Sequence, residues 1–145
     1  MSSDFGETDE DKQIARLKVH RDLVGWIINK LEEAGIQAQR TTGGDPKGDV
    51  EVCDRNDIPR VREILFQIQG KAIAVSNSET QNSFLEVKAY TRKKIDSTLA
   101  RKLINKETIM GLIATGKITK PAKKLLDDSE IIWIEEFPES NLSSD

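Results

Sequence analysis

Histidine and cysteine are almost missing from this chain, which has one of each, His20 and Cys53. A single cysteine excludes a disulfide framework and any cysteine-rich zinc site. A single histidine excludes paired-histidine metal sites, and any Ser-His-Asp arrangement would have to run through His20. Aromatic residues make up 5% of the 145, too few for the stacking platforms that hold unpaired bases. The longest apolar runs are only a few residues, so no segment of the sequence reads as a membrane span. No charged-then-apolar leader opens the chain. The expectation is a cytoplasmic protein.

What the chain does have is charge, 32% of its residues, summing to a formal −3. That charge is unevenly placed. Residues 1–11 carry five acids and no base, and residues 135–145 carry four acids and no base. The stretch between them holds all 22 bases against 16 acids. Within it, residues 88–124 set eleven bases against only Asp96 and Glu107. A polyanion responds to such a local patch rather than to the whole-chain pI. The bland alternative is a solvated face balanced by acidic tails.

The length suits one domain with its own core. Composition divides the chain into an acidic flexible tail (1–11), one α/β domain (12–136) and a second flexible tail (137–145). Ile14, Leu17, Val24, Ile28 and Leu31 recur at helical spacing, and Gly35 ends that helix. His20 falls on the same stripe and reads as a border core residue. A short strand follows over 36–41, and a turn-rich Thr42-Gly43-Gly44-Asp45-Pro46-Lys47-Gly48 leads into the alternating strand 49–53. Asp57 is placed to cap a helix carrying Ile58, Val61, Leu65 and Ile68, closed by Gly70. Strands are expected over 72–75, 84–90, 108–115 and 130–134. Helices are expected from Ser97 to Ile104 and after Thr119, with Pro121 in the first turn. The result is a single mixed central β-sheet flanked by helices.

The segment Phe84-Leu85-Glu86-Val87-Lys88-Ala89-Tyr90 carries the chemistry. Strand alternation points Glu86 and Lys88 to one face and Leu85, Val87 and Ala89 to the other. An acid and a base on one side of an otherwise apolar strand are costly if buried and sensible in a cleft. If the strand after Gly48 is a neighbour, Asp49 converges with Glu86 and Lys88. Two carboxylates with room for water suit a hard cation such as Mg²⁺ or Mn²⁺. Such an ion holds a phosphate oxygen and lowers the pKa of a bound water, and a nearby ammonium offsets charge on the phosphate. The other reading of the triple is a solvent-facing ion pair on an edge strand.

Gly48-Asp49 with its strand, followed by Glu86-Val87-Lys88, resembles the PD-(D/E)xK nuclease superfamily, the restriction-endonuclease-like fold. The order of elements is similar to that family's αβββαβ core with a helical insertion. The run Gly111 to Ala122 through Ile131-Ile132-Trp133-Ile134 resembles Mrr-like restriction enzymes and relatives of Holliday-junction resolvases. The resemblance implies an Mg²⁺-dependent endodeoxyribonuclease with Asp49 and Glu86 as metal ligands and Lys88 as the catalytic lysine. It also implies a homodimer, since two sites are needed to cut both strands, with a partner subunit as a possible source of target specificity. Arg92, Lys93, Lys94, Lys117 and Lys120 are then the candidate DNA contacts, with the first three at the mouth of the cleft. Asp22 and Glu51 are further candidates for the site, whereas Trp26 and Trp133 read as packing residues. Two other functions stand beside this one: a catalytically silent nucleic-acid- or protein-binding module on the same fold, and an adaptor whose acidic tails hold a basic partner.

Overall fold

The computed structural model describes residues 9–42, 45–70, 82–89 and 94–138. Helix α1 (Asp9–Glu33) leads into strands β1 (Ala38–Arg40) and β2 (Val50–Val52). Helix α2 (Ile58–Gln69) precedes strand β3 (Phe84–Lys88). Helix α3 (Ser97–Asn105), strand β4 (Ile109–Ala114), helix α4 (Lys120–Asp128) and strand β5 (Ile132–Ile134) complete the order. The five strands form one open mixed sheet in the order β1-β2-β3-β4-β5. Strand β2 runs antiparallel to both of its neighbours, β1 and β3, and β3, β4 and β5 run parallel. The strand expected over 72–75 lies outside the described residues. Among the described residues no helix is long and apolar enough to cross a membrane.

Two apolar layers sandwich the sheet. Leu23, Val24, Ile27 and Leu31 of α1 and Val61 and Leu65 of α2 pack with Val50, Val52, Leu85, Val87, Met110 and Ile113. On the other side, Ala100 and Leu103 of α3 and Ala122 and Leu126 of α4 pack with Leu112, Ala114 and Trp133. Strand β4 is buried along its whole length, as expected for a parallel strand covered on both faces. Gly111 at its centre permits this: a Cβ there would stand 2.8 Å from Leu65 Cδ1 and 2.9 Å from Leu85 Cδ2.

Local signals account for most element ends. The Asp96 side chain caps α3 by accepting from Leu99 N, and Thr119 caps α4 by accepting from Ala122 N. Gly70 ends α2 at φ +86°, donating to the Phe66 and Gln67 carbonyls. The start of α2 departs from expectation. Asp57 makes no side-chain capping bond; a 3₁₀ turn over Arg55–Asp57 comes first, and Asp54 caps that turn through Asn56 N.

Helix α1 also differs from the sequence reading. It begins at Asp9. Ile14 and Leu17, expected in the core, are 58% and 60% exposed. A 25-residue helix is roughly 37 Å long, which outruns strands of three to six residues, so only its C-terminal half meets the sheet. At the other end Phe137, assigned by sequence to the tail, is buried against Trp26 with ring centroids 4.7 Å apart.

Candidate active site

The site forms where β2 and β3 part. Val50 pairs with Leu85, but the turn before β2 carries the chain away before it can pair further along β3. Asp45 builds that turn: its carboxylate accepts from Lys47 N at 2.8 Å, and its carbonyl accepts from Gly48 N. Thr41 Oγ1 donates to the Gly48 carbonyl and Thr108 Oγ1 to the Lys47 carbonyl, both at 2.6 Å. Asp49 is then held by main-chain bonds on two sides, its N–H to Leu85 O and its carbonyl to Thr41 N.

This arrangement leaves the Val87 N–H without a β2 carbonyl. The Asp49 carboxylate replaces it, accepting from Val87 N at 2.7 Å. The residue between Glu86 and Lys88 thus anchors Asp49, and the spacing of the three groups is set by backbone. His20 from α1 completes the contact, with Nε2 3.4 Å from Asp49 Oδ1. Burial by itself would raise the Asp49 pKa. The hydrogen bonds from His20 and Val87, with the charges of His20 and Lys88, outweigh that and hold it below its usual value.

Glu86 is 4% exposed, on the face of β3 that also carries Phe84. A carboxylate so buried needs compensating charge. Two ammonium groups supply it: Lys88 Nζ lies 2.9 Å from Oε2 and Lys106 Nζ lies 3.1 Å from Oε1. Lys88 comes from the same strand, whereas Lys106 follows the C-terminus of α3.

Asp49, Glu86, Lys88, His20, Lys106 and Asp45 line one open cleft of about 460 Å³. Gln13 and Leu17 of α1 form the wall beside His20, so the helical stripe that is core at Val24, Ile27 and Leu31 becomes cleft wall one to three turns earlier. The structure therefore brings together the three residues picked from the sequence and adds His20 beside Asp49 and Lys106 beside Glu86.

No protein-family model, curated protein or solved structure matches this chain.

The remaining candidates fall elsewhere. Asp22 pairs with Lys18 one turn back on α1 at 3.3 Å. Glu51 accepts from Gln39 Nε2 across β1 and β2 at 2.9 Å. Lys94, Lys117 and Lys120 are exposed, whereas Arg92 and Lys93 lie outside the described residues. Trp26 packs on Phe137, and Trp133 Nε1 donates to Asp127, both in packing roles. The sequence shows His20 only as a polar residue on the apolar stripe of α1; its contact with Asp49 depends on where the sheet beneath that stripe ends. Lys106 had no local signal beyond its place in the basic half.

The donor set has a definite chemistry. Among the described residues no group of three or more His, Cys, Asp or Glu side chains is arranged to hold a metal, so a closed zinc-type cage does not fit. Asp49 and Glu86, which border the open cleft, are the two carboxylates that could hold a cation such as Mg²⁺, which retains several waters and uses few protein ligands.

Proposed function

We propose that this chain is a metal-dependent endonuclease that hydrolyses phosphodiester bonds in DNA. The observation that carries the reading is the convergence of Asp49, Glu86 and Lys88 in one open cleft, with Asp49 bonded to the backbone between the other two. The three antiparallel strands followed by a helix and a parallel strand also support a restriction-endonuclease-like arrangement, with α2 as its helical insertion.

In this reading Asp49 and Glu86 hold a divalent cation, Mg²⁺ or Mn²⁺. A cation so held supplies Lewis acidity and a bound water of lowered pKa. The chain's own groups do the rest. Val87 N–H keeps the Asp49 carboxylate turned into the cleft. The Lys88 ammonium, 22% exposed, is placed to offset negative charge on a phosphate. Exposed Lys94, Lys117 and Lys120, with Arg92 and Lys93, contact the DNA backbone, which makes binding salt-sensitive and independent of base identity. Cutting both strands takes two such sites, which a homodimer provides.

The test is nicking of supercoiled plasmid with Mg²⁺ or Mn²⁺ against an EDTA control, wild type beside Lys88→Ala. Metal-dependent nicking that Lys88→Ala loses, with DNA binding retained, is the expected result. The occupation of both Glu86 oxygens by ammonium groups favours one second reading, a catalytically silent DNA-binding module. Intact binding with no cleavage by wild type in either metal would select it and refute the nuclease.

A further inference from the structure

We infer that Lys106 is a positioning residue that competes with the divalent cation for Glu86, and so sets how tightly this site binds metal. The inference rests on the proposed cation site at Asp49 and Glu86 and goes beyond it by assigning a role to a lysine outside the motif.

The geometry behind it is specific. Glu86 is almost fully buried, and each of its oxygens already has a positive partner. A cation binding at Glu86 must take over one of those oxygens, and the two lysines differ in how readily they yield. Lys88 is two residues along the same strand, so its stem stays beside Glu86 whatever the ammonium does. Lys106 reaches in from the end of α3, its side chain 28% exposed and bordering the open cleft. Its unbranched stem swings into the cleft by bond rotation, with no shift of β3 or α3. Its ammonium therefore occupies Oε1 while metal is absent and leaves when metal arrives. Desolvation drives the arrangement, since a buried carboxylate with one of its two charges removed is under-compensated. A lysine that leaves on cue solves this without an extra carboxylate.

The experiment is calorimetric titration of Mn²⁺, and separately of Ca²⁺, into the full-length protein, with thermal unfolding in EDTA to confirm that each variant folds. Lys106→Met keeps the stem and removes the charge, and it should bind Mn²⁺ roughly tenfold more tightly than wild type. Lys106→Gln keeps a hydrogen-bond donor for Oε1 without the charge, should shift the same way, and stands in if the methionine variant does not fold. Lys106→Arg keeps the charge and should not gain affinity. Glu86→Gln should lose binding. A purely structural lysine would leave affinity unchanged or lower it on removal, so unchanged or weaker Mn²⁺ binding by folded Lys106→Met and Lys106→Gln overturns the competition while leaving the cation site standing. Absence of binding by wild type and both variants overturns the cation site itself.

Discussion

Replacing Gly48 with alanine perturbs the approach to Asp49 where it has least freedom. Gly48 sits at φ +148°, and a Cβ there would stand 2.8 Å from Phe84 Cβ, 3.1 Å from Leu85 O and 3.2 Å from Ile109 Cδ1. Phe84 Cβ is fixed to the β3 backbone and no rotamer moves it away. Leu85 O already accepts from Asp49 N, so relief requires parting β2 from β3. The strained backbone costs about 1–3 kcal/mol and the overpacking about 1–3 kcal/mol more, for a total of about 4 kcal/mol. Gly70→Ala is the matched control. It also has positive φ, +86°, but a Cβ there meets nothing within 4 Å, so only the backbone cost of about 1–2 kcal/mol applies. Urea unfolding at constant m reads the difference as a midpoint shift. For a domain of this size the Gly48 change corresponds to a fall in Tm of about 10 °C. A Gly48→Ala protein no less stable than Gly70→Ala would refute the reasoning, because it would mean that β2 and β3 yield freely at Asp49.

Three further outcomes follow from the structure. Thr119→Ala removes the side-chain cap on Ala122 N and should cost about 1 kcal/mol in denaturant unfolding, with Thr119→Ser recovering most of it. Asp49 and Glu135 are both held below their ordinary values of 3.8 and 4.5: burial opposes this, but His20 and Val87 for Asp49, and Lys123 and Ile118 for Glu135, outweigh it. The unfolded chain therefore takes up these protons at higher pH than the native one. Their stabilisation is complete above the ordinary values and is lost as pH falls through the native ones, so urea midpoints should drop between about pH 5 and pH 3, less steeply in Asp49→Asn. Changing exposed Lys94, Lys117 and Lys120 together to Ala should weaken DNA binding and flatten its salt slope by roughly one unit for each phosphate no longer neutralised. An unchanged slope in a fluorescence-anisotropy titration would remove these lysines from the DNA surface.

The elements were largely legible because short-range physics sets them. Helical spacing in α1 and α2, strand alternation at 84–88, Gly70 after α2 and the side-chain cap Thr119 all act within a few residues of the chain. Asp57 has the sequence position of a cap, but Asp54 competes for the same turn three residues earlier, and the choice depends on where β2 releases the chain. Ile14 and Leu17 carry the core pattern yet lie in solvent, since periodicity says which face is apolar but not where the sheet beneath it stops.

The same division runs through the candidate site. That Glu86 and Lys88 share a face follows from strand geometry alone, and Asp49 joins them once β2 and β3 pair. The pattern of apolar and polar residues by itself determined most of the described elements, their order and the side from which Glu86 and Lys88 emerge. Only the tertiary structure decided their company. His20 reaches Asp49 because α1 extends past the end of the sheet, and Lys106 reaches Glu86 because α3 packs so that its C-terminus overhangs β3. Both depend on the packing of one whole element against another. That packing is the sum of many weak apolar contacts spread over the domain, so no local stretch of sequence records it.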